Sequence, residues 1–282
     1  MTRREQGSSF VAPALILLFF ITVYPIVYVF YLSLHRKLLI FDISKFIGFE
    51  NYLFLLNDDR FWNALMNTSY FTVVSVSFEV IIGLSIAILL NRSFAVKGLV
   101  RAIILIPWAI PTVVSAKMWE WIYNTDFGIL NYLIGLKINW LGNPFLAINA
   151  AIFMDVWKTT PFVAILLIAG LQVIPQELYQ AAKVDGAGNW AIFRKITLPF
   201  LKPVILLVLI FRTLDAFRVF DAIYVLTGGG PANTTETLSI YAYKVFFQTL
   251  QFGYGSTLSI VVFLCVGMIS LFYIKILSRE TR

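Results

Sequence analysis

Residues 172–203 read QVIPQELYQAAKVDGAGNWAIFRKITLPFLKP, a polar island between two apolar runs. Pro175 suits the first turn of a helix, where its missing N–H needs no partner. Glu177 complements the positive end of the helix dipole. Gln176–Val184 is then long enough for about two and a half helical turns. Asp185-Gly186-Ala187-Gly188 ends that helix, because glycine tolerates the positive φ of a helix stop. Asn189 is placed to cap a second helix running to Leu198, with Pro199 and Pro203 limiting its extent. The composition therefore predicts a helix–turn–helix element outside the bilayer. Lys183, Arg194, Lys195 and Lys202 assign it to the cytoplasmic side.

Outward from this island the chain is apolar. Of its 282 residues, 60% are hydrophobic and 13% charged, and the mean hydropathy is +0.84. Soluble domains carry about a quarter charged residues, so this composition marks an all-α integral membrane protein. Six segments reach the roughly 20 apolar residues that a spanning helix needs: 10–34, 67–90, 99–123, 147–171, 204–226 and 255–277. Together they form a single transmembrane domain over residues 1–282, with 172–203 as its one large cytoplasmic loop. The first segment is too long for a signal peptide and lacks a clean cleavage site, so it reads as an uncleaved anchor. Pro107 and Pro111 break the third, which neighbouring helices can tolerate. Residues 35–66 read as an external loop.

Orientation follows from the cations. Arg3, Arg4, Arg92, Lys97, Arg101, Lys183, Arg194, Lys195, Lys202, Lys275, Arg279 and Arg282 fall on one side, against Arg36, Lys37, Lys45, Arg60, Lys137 and Lys244 on the other. The excess of positive charge inside puts both termini in the cytoplasm. The net charge of +7 sits at helix ends and not on one basic face, which argues against nucleic acid as a partner. A single Cys265 excludes an intrachain disulfide and a thiolate cluster, and a single His35 argues against a histidine-based metal or triad site. No G-x-x-x-x-G-K-[ST] loop occurs, so the chain carries no Walker-type nucleotide site.

Opposite charges three residues apart recur inside the spans: Lys117/Glu120, Asp155/Lys158, Arg212/Asp215 and Arg218/Asp221. Residues at that spacing share a helix face. The centres of the fourth and fifth spans lie about 15 Å from either surface. Asp155, Lys158, Arg212, Asp215 and Arg218 are therefore expected to meet at mid-membrane, where charges face a bundle interior or a watery cavity. Residues 212, 215 and 218 form one polar stripe, which either lines a solute cavity or serves as a structural ion network, or does both. Thr159, Thr160, Phe162 and Thr213 lie at the same depth. Aromatic faces beside fixed donors and acceptors suit an uncharged sugar. Glu79 is a lone acid in the second span, either a member of this network or protonated.

The cytoplasmic island resembles the coupling loop of permease subunits of binding-protein-dependent ABC importers. That pattern reads E-A-A, three residues, G, nine residues, I-x-L-P. Here Gln180-Ala181-Ala182, Gly186 and Ile196-Thr197-Leu198-Pro199 keep the spacing, with Gln180 in place of the usual Glu. FIGFENY (46–52), WKTTPF (157–162) and LDAFRVFDAIYVLTGGGP (214–231) extend the resemblance along the chain, to the sugar-importing, maltose/trehalose-like subgroup.

The resemblance implies the type I importer permease fold, in a prokaryotic plasma (inner) membrane. It implies a heterodimer with a second permease, two ATP-binding cassette ATPase subunits and an extracytoplasmic sugar-binding protein. ATP and Mg would be held by those ATPases, and this chain would bind no cofactor or metal and hold no catalytic residue. Glu177, Gln180, Ala181, Ala182, Asp185 and Gly186 are the implied ATPase-coupling residues. Asp155, Lys158, Thr159, Phe162, Arg212, Asp215 and Arg218 are the expected solute-pathway residues. The implied cargo is a disaccharide such as trehalose or maltose. Another oligosaccharide or glycerol phosphate is the alternative. An ion-coupled secondary transporter would leave the coupling pattern unexplained, and the lack of a His/Cys/Ser constellation speaks against a membrane enzyme.

Overall fold

The computed structural model describes residues 3–91 and 96–280, with side chains described over 11–91 and 96–276. Of the cations counted toward orientation, Arg92 and Arg282 lie outside the described residues, as do the side chains of Arg3, Arg4 and Arg279. The chain resolves into two compact units, residues 1–61 with 241–265 and residues 62–240 with 266–282.

The first unit begins with α1 (Arg3–Ser33), which contains Pro13 and Pro25 and is apolar and mostly exposed up to the buried Leu32 and Ser33 at its end. Two short strands follow, β1 (His35–Leu38) and β2 (Ile43–Phe46), antiparallel with His35 opposite Phe46. α2 (Glu50–Leu56) is tied back to the end of α1 by Asn51, whose Nδ2 donates to Ser33 O at 2.8 Å and His35 O at 3.1 Å. Tyr241 and Tyr254 both donate to Asp58 Oδ2 at 2.5 Å, and the Arg60 guanidinium lies 4.6 Å over the Tyr241 ring. The expected external loop is therefore largely ordered secondary structure. Its charged strands lack the apolar alternation that marks a half-buried sheet.

α3 (Asp59–Asn91) starts eight residues before the expected span at 67. α4 (Lys97–Ala109) and α5 (Thr112–Ile122) replace the third span with a pair bent by 93° at Ile110-Pro111. α6 (Ile129–Ile134) is short. α7 (Pro144–Gln172) starts with Asn143, whose side chain accepts from Phe145 N and Leu146 N as a helix cap should. α7 is the enclosed helix of the molecule, with 72% of its apolar window buried. α8 (Gln176–Val184) and α9 (Asn189–Ile192) follow. A five-residue π-helical segment, Phe193–Thr197, then leads without a break into α10 (Leu198–Ala216). α11 (Asp221–Leu226), α12 (Leu238–Phe247) and α13 (Phe252–Glu280) complete the chain. By length and composition, five helices among the described residues can cross a membrane, or six with the bent pair counted as one.

Three expectations need correction. The fifth span does not run over 204–226. Its helix ends at Ala216, and α11 is a separate short helix whose Ala222, Ile223 and Leu226 are buried against α5 and α7. Hydropathy alone cannot separate a continuous span from a short helix buried by its neighbours. Second, Pro199 and Pro203 do not limit the second loop helix; both sit inside the continuous α9–π–α10 rod. Pro199 follows the π-helical turn, whose wider register moves the hydrogen bonds that a proline would disrupt. Third, Pro175 occupies the N-cap of α8 and not its first turn, and Asn189 is the first residue of α9, capped by Gly188 with no side-chain bond.

Two apolar clusters hold the second unit. One gathers Phe71, Trp119, Met154, Ile223 and Ile240. The other gathers Ala87, Leu90, Leu167, Leu171 and Leu201 where α3, α7 and α10 meet near α8. α7 and α10 approach closely at Gly170, where an added Cβ would lie 2.9 Å from Val204 Cγ2. Small residues at such crossings let spanning helices pack backbone to backbone.

Candidate functional site

Between the two clusters, three spanning helices place charged side chains in contact. Glu79 comes from the middle of α3 and is fully buried. Arg212 Nε donates to Glu79 Oε2 at 2.6 Å and Nη2 to Glu79 Oε1 at 3.0 Å. The same Nη2 reaches Asp155 Oδ2 of α7 at 3.2 Å, and Nη1 pairs with Asp215 one turn along α10. Thr159 Oγ1 lies 2.8 Å from Glu79 Oε1 and 2.6 Å from the Asp155 carbonyl, so its one proton serves either acceptor. One guanidinium therefore ties α3, α7 and α10 together. Its fork geometry suits several carboxylates at once, and the side chains are 0% (Glu79), 4% (Arg212) and 10% (Asp155) exposed.

Asp215 is different, with its side chain 67% exposed. It opens onto a cavity of about 660 Å³. All seven expected solute-pathway residues line that cavity: Asp155, Lys158, Thr159, Phe162, Arg212, Asp215 and Arg218. Trp108 adds an aromatic wall, its ring stacked on Phe162 with centroids 5.5 Å apart and planes 25° apart. The bend between α4 and α5 positions Trp108 and Thr112 at this wall. Phe220 lines it too, stacked on Tyr224 at 5.2 Å.

The i,i+3 pairing rule holds for half of the charges. Lys117 pairs with Glu120 at 2.6 Å, and Arg212 with Asp215. Asp155 instead turns to Arg212, and among the described residues Lys158 is buried with no hydrogen-bond or ion-pair partner. Arg218 lies beyond the end of α10, so the three-residue stripe 212–215–218 is not one helix face. Its Nε donates to Leu214 O at 3.1 Å. Thr160 Oγ1 bonds its own helix at Val156 O, and Thr213 Oγ1 meets Tyr273 Oη at 3.0 Å.

Two contributors escaped the sequence-based site. Glu79 was weighed as a lone acid that either joins the network or is protonated, and was not counted among the solute-pathway residues; the structure makes it a network member, as a single carboxylate in a long apolar run signals a facing cation. Trp108 carried no such signal, because aromatic residues are common in spans and only the 93° bend directs this one inward.

The second candidate surface is α8. Glu177, Gln180, Ala181 and Asp185 are exposed and Ala182 half-buried. Gly186 adopts φ +76°. Ala187 N donates to Ala182 O at 2.9 Å and Gly186 N to Lys183 O at 3.1 Å, which is the Schellman pattern of helix ending. On the inner side, Tyr179 Oη meets Thr197 Oγ1 of the π-helical turn at 3.2 Å, and Ile174 is buried in the apolar cluster beneath. α8 is thus a short polar helix, fixed on one face to the root of α10 and open on the other.

Comparison with known proteins gives these surfaces a context. Residues 79–282 match the family described as binding-protein-dependent transport system inner membrane component. The chain is 44% identical over 276 residues to the trehalose/maltose transport system permease protein MalF of Thermococcus litoralis, covering 96% of this chain and 93% of that one. It is 42% identical over 277 residues to the trehalose transport system permease protein SugA of Mycobacterium tuberculosis, covering 98% and 90%. Among solved structures, a chain of a bacterial ABC transporter involved in import of the acidic polysaccharide alginate superposes with a TM-score of 0.86, covering 98% of both chains at 23% identity. At that identity the match speaks to the fold.

Proposed function

The chain belongs to the family of binding-protein-dependent transport inner-membrane components, and from that premise we propose that it is the permease subunit of an ATP-driven importer whose cargo is a disaccharide of the trehalose or maltose type. The observation that carries the cargo reading is the 660 Å³ cavity, which joins a Trp108–Phe162 aromatic wall to a set of fixed charged groups. Aromatic rings stack on the apolar C–H faces of a sugar, and buried donors and acceptors replace water on its hydroxyls. Two relatives above 40% identity carry trehalose in their names, which supports the same reading.

The proposed assembly contains a second permease, two ATPase subunits holding ATP and Mg, and an extracytoplasmic binding protein. In this assembly the termini and α8 face the cytoplasm. ATP-driven closure of the ATPases carries α8 with it. The movement reaches the cavity by two routes, α7 on one side and the π-helical turn and α10 on the other, because α7 and α10, two of the three helices that Arg212 ties together, flank α8 in the chain. Glu177, Gln180, Ala181, Ala182, Asp185 and Gly186 form the contact, while the network holds the cavity wall. Hydrolysis resides on the partners, and this chain's part is to bind, orient and release.

The test is transport by the reconstituted complex in proteoliposomes, with radiolabelled trehalose, maltose and a panel of other sugars. Uptake should need ATP inside and the binding protein outside, and should survive collapse of ion gradients. Uptake driven by a proton or sodium gradient without ATP would overturn the reading.

A further inference from the structure

Away from the polar cavity, Arg101 presents an unsolved problem in burial. It is the fifth residue of α4, and its Nε and Nη2 atoms are shielded from solvent without a hydrogen-bond partner among the described residues. These two nitrogens form one edge of the guanidinium, the edge that engages two oxygens of a phosphate or carboxylate side by side. An orphaned cationic edge in apolar surroundings is costly, so an acceptor from elsewhere is called for.

The surroundings say what kind. Arg101 lines a small cavity of about 120 Å³ whose other walls are apolar, including Leu90 of α3, Ile104 and Leu105 of α4, and Ile165 and Ile168 of α7. None of these wall side chains carries an acceptor. Ile165 is 39% exposed, which opens the cavity toward the outside of the bundle. Lys97 lies one turn before Arg101 on the same face of α4, is half-buried, and has no ion-pair partner among the described residues. At 1.5 Å per residue, Arg101 lies only about 6 Å along the axis from the start of α4. That is headgroup depth in a bilayer, at the end of the bundle that carries α8.

We propose that this cavity is a specific site for an anionic phospholipid of the leaflet on the α8 side, with the headgroup phosphate on the Arg101 edge, Lys97 beside it, and acyl carbons against Leu105 and Ile165. Two cations favour a net-negative headgroup over a zwitterionic one. The site is separate from the solute cavity and does not rest on the cargo reading.

Native mass spectrometry of the full-length chain in detergent tests it, by titration with phosphatidylglycerol, phosphatidylcholine or inorganic phosphate. One phosphatidylglycerol should bind about ten-fold more tightly than phosphatidylcholine, the worth of one charge-assisted contact. Arg101→Gln should erase that preference. Ile165→Trp, which closes the mouth and keeps the cation, should weaken phosphatidylglycerol binding as well, and carries the test if the Arg101 variant fails to fold. Equal preference in wild type and both variants would overturn the site. So would complete displacement of the lipid by millimolar phosphate, or an Arg101→Gln defect confined to assembly with the second permease, which would assign the acceptor to a protein carboxylate.

Discussion

Arg212 Nε lies 2.6 Å from Glu79 Oε2, although 133 residues separate them in sequence. Glu79 is fully buried and Arg212 only 4% exposed. Removing Arg212 leaves the Glu79 and Asp155 carboxylates buried without their cation, at a cost of about 3–5 kcal/mol, whereas removing Glu79 still leaves Arg212 with Asp155 and Asp215. Glu79→Leu and Arg212→Leu should each lower the melting temperature of the purified complex and reduce its yield. The double variant should recover part of that loss, because replacing a buried pair outright is far less costly than breaking it. Scanning fluorimetry on all three reads the difference. Single variants that melt with wild type would show that the pair has little structural weight.

Lys158 predicts the opposite behaviour. It lines the same cavity, but among the described residues it holds no partner whose charge it balances within ion-pair distance. Lys158→Gln should therefore leave the melting temperature in place while raising the KM for uptake about ten-fold, the worth of one charge-assisted hydrogen bond to solute. A fall in stability as large as that of Arg212→Leu, with KM unchanged, would return Lys158 to the structural network.

The contrast between these two residues marks what sequence could and could not show. The meeting of Asp155, Arg212 and Asp215 was expected from the sequence and is found, although the span over 204–226 from which it was argued ends at Ala216. Their pairing was not, because i,i+3 spacing offers each charge a neighbour on its own helix, while a competing partner on another helix is invisible. Asp155 had Lys158 beside it and took Arg212 from α10 instead. The end of α10 at Ala216 was hidden for a related reason: residues 217–226 are apolar enough for a span, and only packing against α5 makes them a short buried helix. The glycine stop after α8 was fully legible, since it depends on local backbone geometry alone.

Trp108 and Phe162 stack at 5.5 Å on the cavity wall. Trp108 is 47% exposed, so truncating it removes a face available to solute more than it empties a core. Trp108→Ala should cut the uptake of a neutral disaccharide several-fold, by the roughly 0.5–1.5 kcal/mol typical of an aromatic contact beyond its area. Trp108→Phe should restore much of it. Uptake by Trp108→Ala equal to wild type would remove the aromatic wall from the solute path.

Gly186 offers the sharpest test of the lever. Its φ of +76° is one that side chains with a Cβ adopt at a cost of about 1–2 kcal/mol. An added Cβ there meets no atom within 4 Å, so any effect of substitution comes from the backbone and not from a clash. The expected order of transport is therefore Gly, then Asn, which tolerates this region, then Ala, then Val. Gly186→Pro and Ala182→Glu should abolish uptake while leaving the chain in the membrane. In each impaired variant the ATPase should lose its stimulation by loaded binding protein, because the end of α8 no longer holds the geometry that meets it. Glu177→Lys should do the same through charge alone, with the helix end intact. Normal stimulation in Gly186→Val would mean that the turn after α8 serves only to end a helix.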